Sequence, residues 1–99
     1  MEIKISQDQG AAIVQIVGRL DTVTAPELDQ AVKPLIEPGA AVVFDCANME
    51  YVSSSGLRVV LSTHKQLAAL GGRFAVRNLN REVRSVFDLT GFSRLLTIE

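Results

Sequence analysis

Three consecutive hydroxyls, Ser53, Ser54 and Ser55, stand before Gly56 and a strongly apolar run in YVSSSGLRVVL, residues 51–61. Such a cluster has three possible uses. A serine can cap a helix by accepting a backbone N–H, a contact worth about 1 kcal/mol. It can serve as a nucleophile if a general base lies within hydrogen-bond reach. It can also receive a phosphate, which adds about −1.5 to −2 charge and is well tolerated where a helix N-terminus offers free donors. One cap explains one serine and leaves two without a purpose.

The nucleophile reading fails on distance. The frame G-x-S-x-G of a nucleophile elbow is absent, and His64 is the only histidine. It follows Ser54 by ten residues on the same predicted helix, about 15 Å at 1.5 Å per residue. Its neighbours at helical spacing, Leu57, Val60, Leu61 and Ala68, mark it as a partly buried core histidine.

Other chemistry is thinly supplied. There is one cysteine, Cys46, at the end of an apolar stretch, where a buried thiol acts as a small hydrophobe. One His and one Cys assemble no His/Cys metal cluster within one chain. Asp21, Asp29, Asp45 and Asp88 fall on different elements without ligand spacing, and neither a P-loop nor a G-x-G-x-x-G run occurs. Arg73, Arg77, Arg81 and Arg84 read as a solvated face. No enzyme activity and no cofactor are expected.

The elements that must hold the serines alternate in type. IKIS (3–6) alternates as a strand, DQG (8–10) is a turn, and AAIVQIVG (11–18) is a more buried strand. Thr24 and Glu27 have capping-box spacing, and Leu28, Ala31, Val32 and Leu35 mark one helical face. Pro34 predicts a kink or a helix ending near Lys33. AAVVFDCA (40–47) is a third strand and NMEYVSS (48–54) a loop. A long helix follows from the serines to Gly71-Gly72. RFAVRN (73–78) is a fourth strand, and Asn80 caps a helix whose Val83, Val86, Phe87 and Thr90 share a face and whose C-cap is Gly91. RLLTIE (94–99) is a last strand. The order β-β-α-β-α-β-α-β predicts one mixed sheet of four to five strands with three helices, a small α/β domain spanning residues 1–99. The serine turn then lies at the C-terminal end of a strand, where open α/β sheets usually meet ligands and partners.

A 47% apolar share supports a packed core, and a formal charge of −1 gives no long-range field for nucleic acid or anionic lipid. MEIKISQDQG has neither the basic nor the apolar region of a signal peptide, and no apolar run reaches about 18 residues. A cytoplasmic protein without membrane insertion or nucleic-acid partner is expected. The number of copies that associate is open.

VVFDCANMEYVSSSGLRVVL resembles the central segment of the STAS domain family, shared by bacterial anti-sigma factor antagonists and the tails of sulphate transporters. The family pattern is an apolar strand ending in Asp, a loop, Asp-Ser-Ser-Gly or Ser-Ser-Ala-Gly, then an apolar helix. GRLDTVTAPEL and NREVRSVFDLTGF resemble the stretches leading to the family's first helix and forming its closing helix. The resemblance implies a phosphorylation-switched antagonist in bacterial signalling and transcription regulation. It would bind an anti-sigma factor that is also a serine kinase, free a sigma factor, and be reset by a phosphatase. ATP would belong to the kinase. Matched to the motif, the phosphorylated serine is Ser54, and the family Asp position is Ser53. Ser55 and Gly56 complete the motif, with Asp21, Thr22, Thr24 and Arg58 joining the docking surface. The alternative is a constitutive interaction subunit of a transporter or a stress-signalling complex.

Overall fold

Alternating side chains build the sheet from its first hairpin. The computed structural model describes residues 1–99 and places β1 at Glu2–Asp8 and β2 at Ala11–Leu20, paired antiparallel. Gln9 (φ 50°) and Gly10 (φ 82°) join them, the double left-handed conformation that matches the twist of a two-residue hairpin. The strands β3 (Ala41–Val52), β4 (Arg73–Arg77) and β5 (Thr97–Ile98) follow, each parallel to its predecessor from β2 onward. The sheet order is β1-β2-β3-β4-β5. The helices α1 (Ala25–Val32), α2 (Ser54–Ala69) and α3 (Arg81–Leu89) make the crossovers, and a short α4 (Phe92–Leu95) precedes β5. Pro34 acts as expected: α1 stops at Val32 and a single 3₁₀ turn, Lys33–Leu35, takes over.

The core lies on one side of the sheet. Val14 and Ile16 of β2, Val42, Phe44 and Cys46 of β3, and Phe74 and Val76 of β4 point into it by the two-residue period of strands. Leu28, Val32, Leu57, Val60, Leu67, Val83 and Phe87 of the helices join the same cluster. Phe44 and Phe74 meet edge to face at 4.8 Å. Residues of the other parity, such as Gln15, Val43 and Asp45, stay outside it. All three long helices therefore cover one face.

Four expectations are corrected. Residues 48–52 are not a loop: β3 runs on to Val52, paired with the far end of β2 through Val17↔Asn48, Gly18↔Met49, Arg19↔Tyr51 and Leu20↔Val52. Two register shifts accommodate the polar residues while Met49 and Val52 stay buried. Residues 94–96 are not strand: Gly91 (φ 80°) turns the chain, and Phe92 packs edge-on against Phe87 at 6.2 Å, leaving two strand residues at the end. On α2 the buried face includes Thr63 while Ala68 is exposed. The Thr63 hydroxyl donates to the Val59 carbonyl at 2.8 Å, which makes its burial cheap. Thr90 is exposed as the C-cap of α3, with Gly91 just beyond it.

Candidate functional site

The overhang of β3 delivers the serines to the C-terminal end of the sheet. Ser53 is extended (φ −96°, ψ 174°), and its Oγ accepts the Gly56 N–H at 3.2 Å, so Ser53 is the N-cap of α2. Its own N–H donates to the Leu20 carbonyl at 2.9 Å, tying the cap to the end of β2. Gly56 makes that approach possible. A Cβ at this position would stand 2.7 Å from Leu20 Cγ and 3.0 Å from the Leu20 carbonyl oxygen. The helix therefore starts pressed against β2, and its first turn has no slack.

The three hydroxyls have different surroundings. Ser53 is half-buried and spent on the cap. Ser55 is half-buried, with its Oγ 3.3 Å from Thr22 Oγ1 of the loop between β2 and α1. Ser54, the first residue of α2, is exposed, and its hydroxyl makes no hydrogen bond within the chain. Arg58, one turn further along, is also exposed and joins no ion pair.

The neighbouring loop is braced from inside. Asp21 Oδ1 accepts the N–H groups of Thr24 and Val23, both at 3.0 Å. Thr24 Oγ1 accepts the Asp21 N–H at 2.9 Å and lies 2.8 Å from the Arg19 carbonyl and 3.2 Å from Asp21 Oδ1. The Thr24 N–H, its hydroxyl, the Val23 N–H and the Arg19 charge outweigh partial desolvation and hold the Asp21 carboxyl below its usual value. The expected capping box does not form: Thr24 makes no side-chain cap bond on α1, because its hydroxyl is spent on the loop. Asp21 and Thr24 thus shape the surface, whereas Thr22 and Val23 are exposed on it, Val23 at 80%.

Two further residues belong to this surface and are not among the site residues the sequence suggests. The Arg19 guanidinium lies 4.2 Å from the centre of the Tyr51 ring and 3.9 Å from the Asp21 carboxylate. Tyr51 is 41% exposed. Arg19 and Tyr51 are cross-strand neighbours only because of the shifted β2–β3 register, which sequence spacing does not reveal.

The remaining reactive groups sit elsewhere. His64 is half-buried, its ring 6.3 Å from that of Phe74, near the opposite end of α2 from Ser54. Burial, with a smaller contribution from Asp45, pushes the Cys46 thiol up to about 12, so it stays protonated. No three His, Cys, Asp or Glu side chains converge as a metal site. Among the arginines read as a solvated face, Arg77 alone is half-buried, standing 3.4 Å from Asp45. Asp45 also accepts the Ala47 N–H and the Asn78 side-chain amide, each at 3.1 Å. Partial burial raises its carboxyl, but Asn78, Ala47 and Arg77 together bring it below the usual value.

A family model described as the STAS domain matches residues 2–99. The anti-sigma-B factor antagonist of Bacillus subtilis (strain 168) is 30% identical over 98 residues, covering 99% of this chain and 90% of the relative. A crystal structure of an anti-sigma factor antagonist from Mycobacterium paratuberculosis superposes with a TM-score of 0.88 at 28% identity, covering 98% of this chain and 83% of that one. The Bacillus cell fate determinant SpoIIAA in its phosphorylated form shares the fold, with a TM-score of 0.75 at 20% identity over 99% of this chain and 91% of that one.

Proposed function

The chain belongs to the STAS domain family, and on that premise we propose that it is an anti-sigma factor antagonist switched by a phosphate on Ser54. The names of the B. subtilis and M. paratuberculosis relatives support the first part. The second part rests on one observation: of three adjacent serines, only Ser54 has its hydroxyl exposed and unengaged.

The unmodified chain docks a partner anti-sigma factor on the surface formed by Thr22, Val23, Tyr51, Ser54 and Arg58. Sigma factor is released by competition. The partner is also a serine kinase and supplies ATP. The Ser54 oxygen attacks the γ-phosphorus, the bond to the β-phosphate oxygen breaks, ADP departs and the serine proton is lost. About two negative charges then stand where a protein surface was bound, and desolvating them again is costly. The turn itself does not need to move, because Ser53 and Gly56 fix it independently of Ser54. Hydrolysis by a phosphatase restores the hydroxyl. The switch chemistry belongs to these partners, and the chain contributes the displayed hydroxyl and the docking face. Such a cycle operates in the cytoplasm.

Incubation with ATP and the anti-sigma factor kinases of the source organism tests this reading. Mass spectrometry is expected to place one phosphate on Ser54, and Ser54→Ala is expected to stay bound to the kinase in the presence of ATP. A phosphate on another residue, or release of Ser54→Ala by ATP, overturns it.

A further inference from the structure

Two of the three long helices carry an ion pair at i,i+4 spacing. Asp29 of α1 reaches Lys33, the C-cap of that helix, at 3.6 Å, and Arg84 of α3 reaches Asp88 at 3.5 Å. The longest helix, α2, has none, and it holds no acidic residue over Ser54–Ala69. It does hold an exposed, unpaired cation, Arg58. The residue four positions before Arg58, where an acid would complete the pair in the favoured order of acid first, is Ser54.

We propose that Arg58 is the intramolecular counter-ion of a phosphate on Ser54, so that modification completes the ion pair α2 lacks and withdraws this cation from the docking face. The inference rests on the reading of Ser54 as the modified serine and concerns what the phosphate does once present. Side chains at i and i+4 lie about 6 Å apart at Cβ, within reach of a guanidinium folding back on a phosphate. The planar fork of arginine suits two phosphate oxygens at once. Competition from other charges is limited. Arg19, on the adjacent end of β2, is held by Asp21 and the Tyr51 ring. The carboxylates on the elements beside the turn are Asp45 and Glu50 of β3, Asp21, and Glu27 and Asp29 of α1, and none of them pairs with Arg58. The switch is then double: it adds an anion at Ser54 and removes the free charge of Arg58 from the partner's view.

The test uses the full chain with phosphoserine genetically encoded at position 54, so that no kinase is needed. The second ionisation of the phosphate is followed by ³¹P NMR in the otherwise unaltered chain, in Arg58→Gln and in Arg58→Lys. An intramolecular cation stabilises the dianion. The expected midpoint is therefore roughly half a pH unit lower with Arg58 than with Gln, lysine lying between them. The difference is expected to shrink in high salt. Coincident midpoints for Arg58 and Gln at low salt, with each chain folded by its amide spectrum, overturn the pairing. That outcome leaves the functional reading intact. Conversely, a kinase that ignores Ser54 removes the functional reading and leaves this titration unaffected.

Discussion

The two turns that carry the chain from the C-terminal end of a strand into α2 and α3 use the same device for different ends. Each helix has a polar N-cap that accepts the N–H three residues on: Ser53 from Gly56 at 3.2 Å, Asn80 from Val83 at 2.8 Å. At the second turn everything is closed. The Asn80 amide also donates to the Met49 carbonyl at 3.1 Å, Glu82 supplies an acid to the first helical turn, and Val83 is buried. At the first turn the third helical residue is a glycine because β2 is too near for a side chain, no acid is present, and a free hydroxyl leads the helix. The closed turn holds the fold. The other is equally fixed in its backbone but electrostatically incomplete, which is what a chargeable site requires.

Substitutions at matched positions can break this comparison. Gly56→Ala should be the most damaging, at about 2–3 kcal/mol, because the new Cβ meets Leu20 side chain and backbone at once. Urea denaturation measures it, and a loss below about 0.5 kcal/mol would show the approach to β2 to be slack. Asn80→Ala removes a cap and leaves the Met49 carbonyl without its donor. It should cost about 2 kcal/mol by the same assay.

Asp45 braces the turn before α3 through Asn78, and Asp45→Asn should cost about 1.5 kcal/mol near neutral pH. The sign of its pH dependence follows from a carboxyl held below its usual value. That contribution is present above about pH 4 and is lost as pH falls through the folded-state value. The stability gap between the native chain and Asp45→Asn should therefore be constant toward neutrality and narrow below about pH 4. A gap that widens on acidification contradicts the bracing role.

Ser53→Ala should cost about 1 kcal/mol, the ordinary worth of a serine cap. Ser54→Ala, next to it, should change stability by less than about 0.5 kcal/mol, since an exposed hydroxyl without a partner contributes little. Equal losses at the two serines would erase the division of labour between them.

Much of this architecture is legible in residue order. The Asp-Gln-Gly turn, the apolar run to Cys46, the break at Pro34 and the Asn80 cap are local signals, and each acts through its nearest neighbours. What is not legible depends on partners distant in sequence. The stretch 48–52 looks like a loop until β2 is seen to continue beside it with two register shifts. Thr24 and Glu27 have the spacing of a capping box, yet the Thr24 hydroxyl goes to Arg19 and Asp21 instead. Arg19 and Tyr51 come together only through that shifted pairing. The site follows the same rule. The serines and the cap at its centre are read directly from sequence, whereas the surface around them is set by the sheet.

The most direct test of the account compares the affinity of a captured anti-sigma factor partner for the unmodified chain and for the chain carrying phosphoserine at 54, by calorimetry, with amide spectra of both free forms. At least a tenfold weaker complex is expected for the phosphorylated chain, with spectral changes confined to the loop between β2 and α1, the serine turn and the first turns of α2. Equal affinity for the two forms, or a refolded domain behind the loss, contradicts the account.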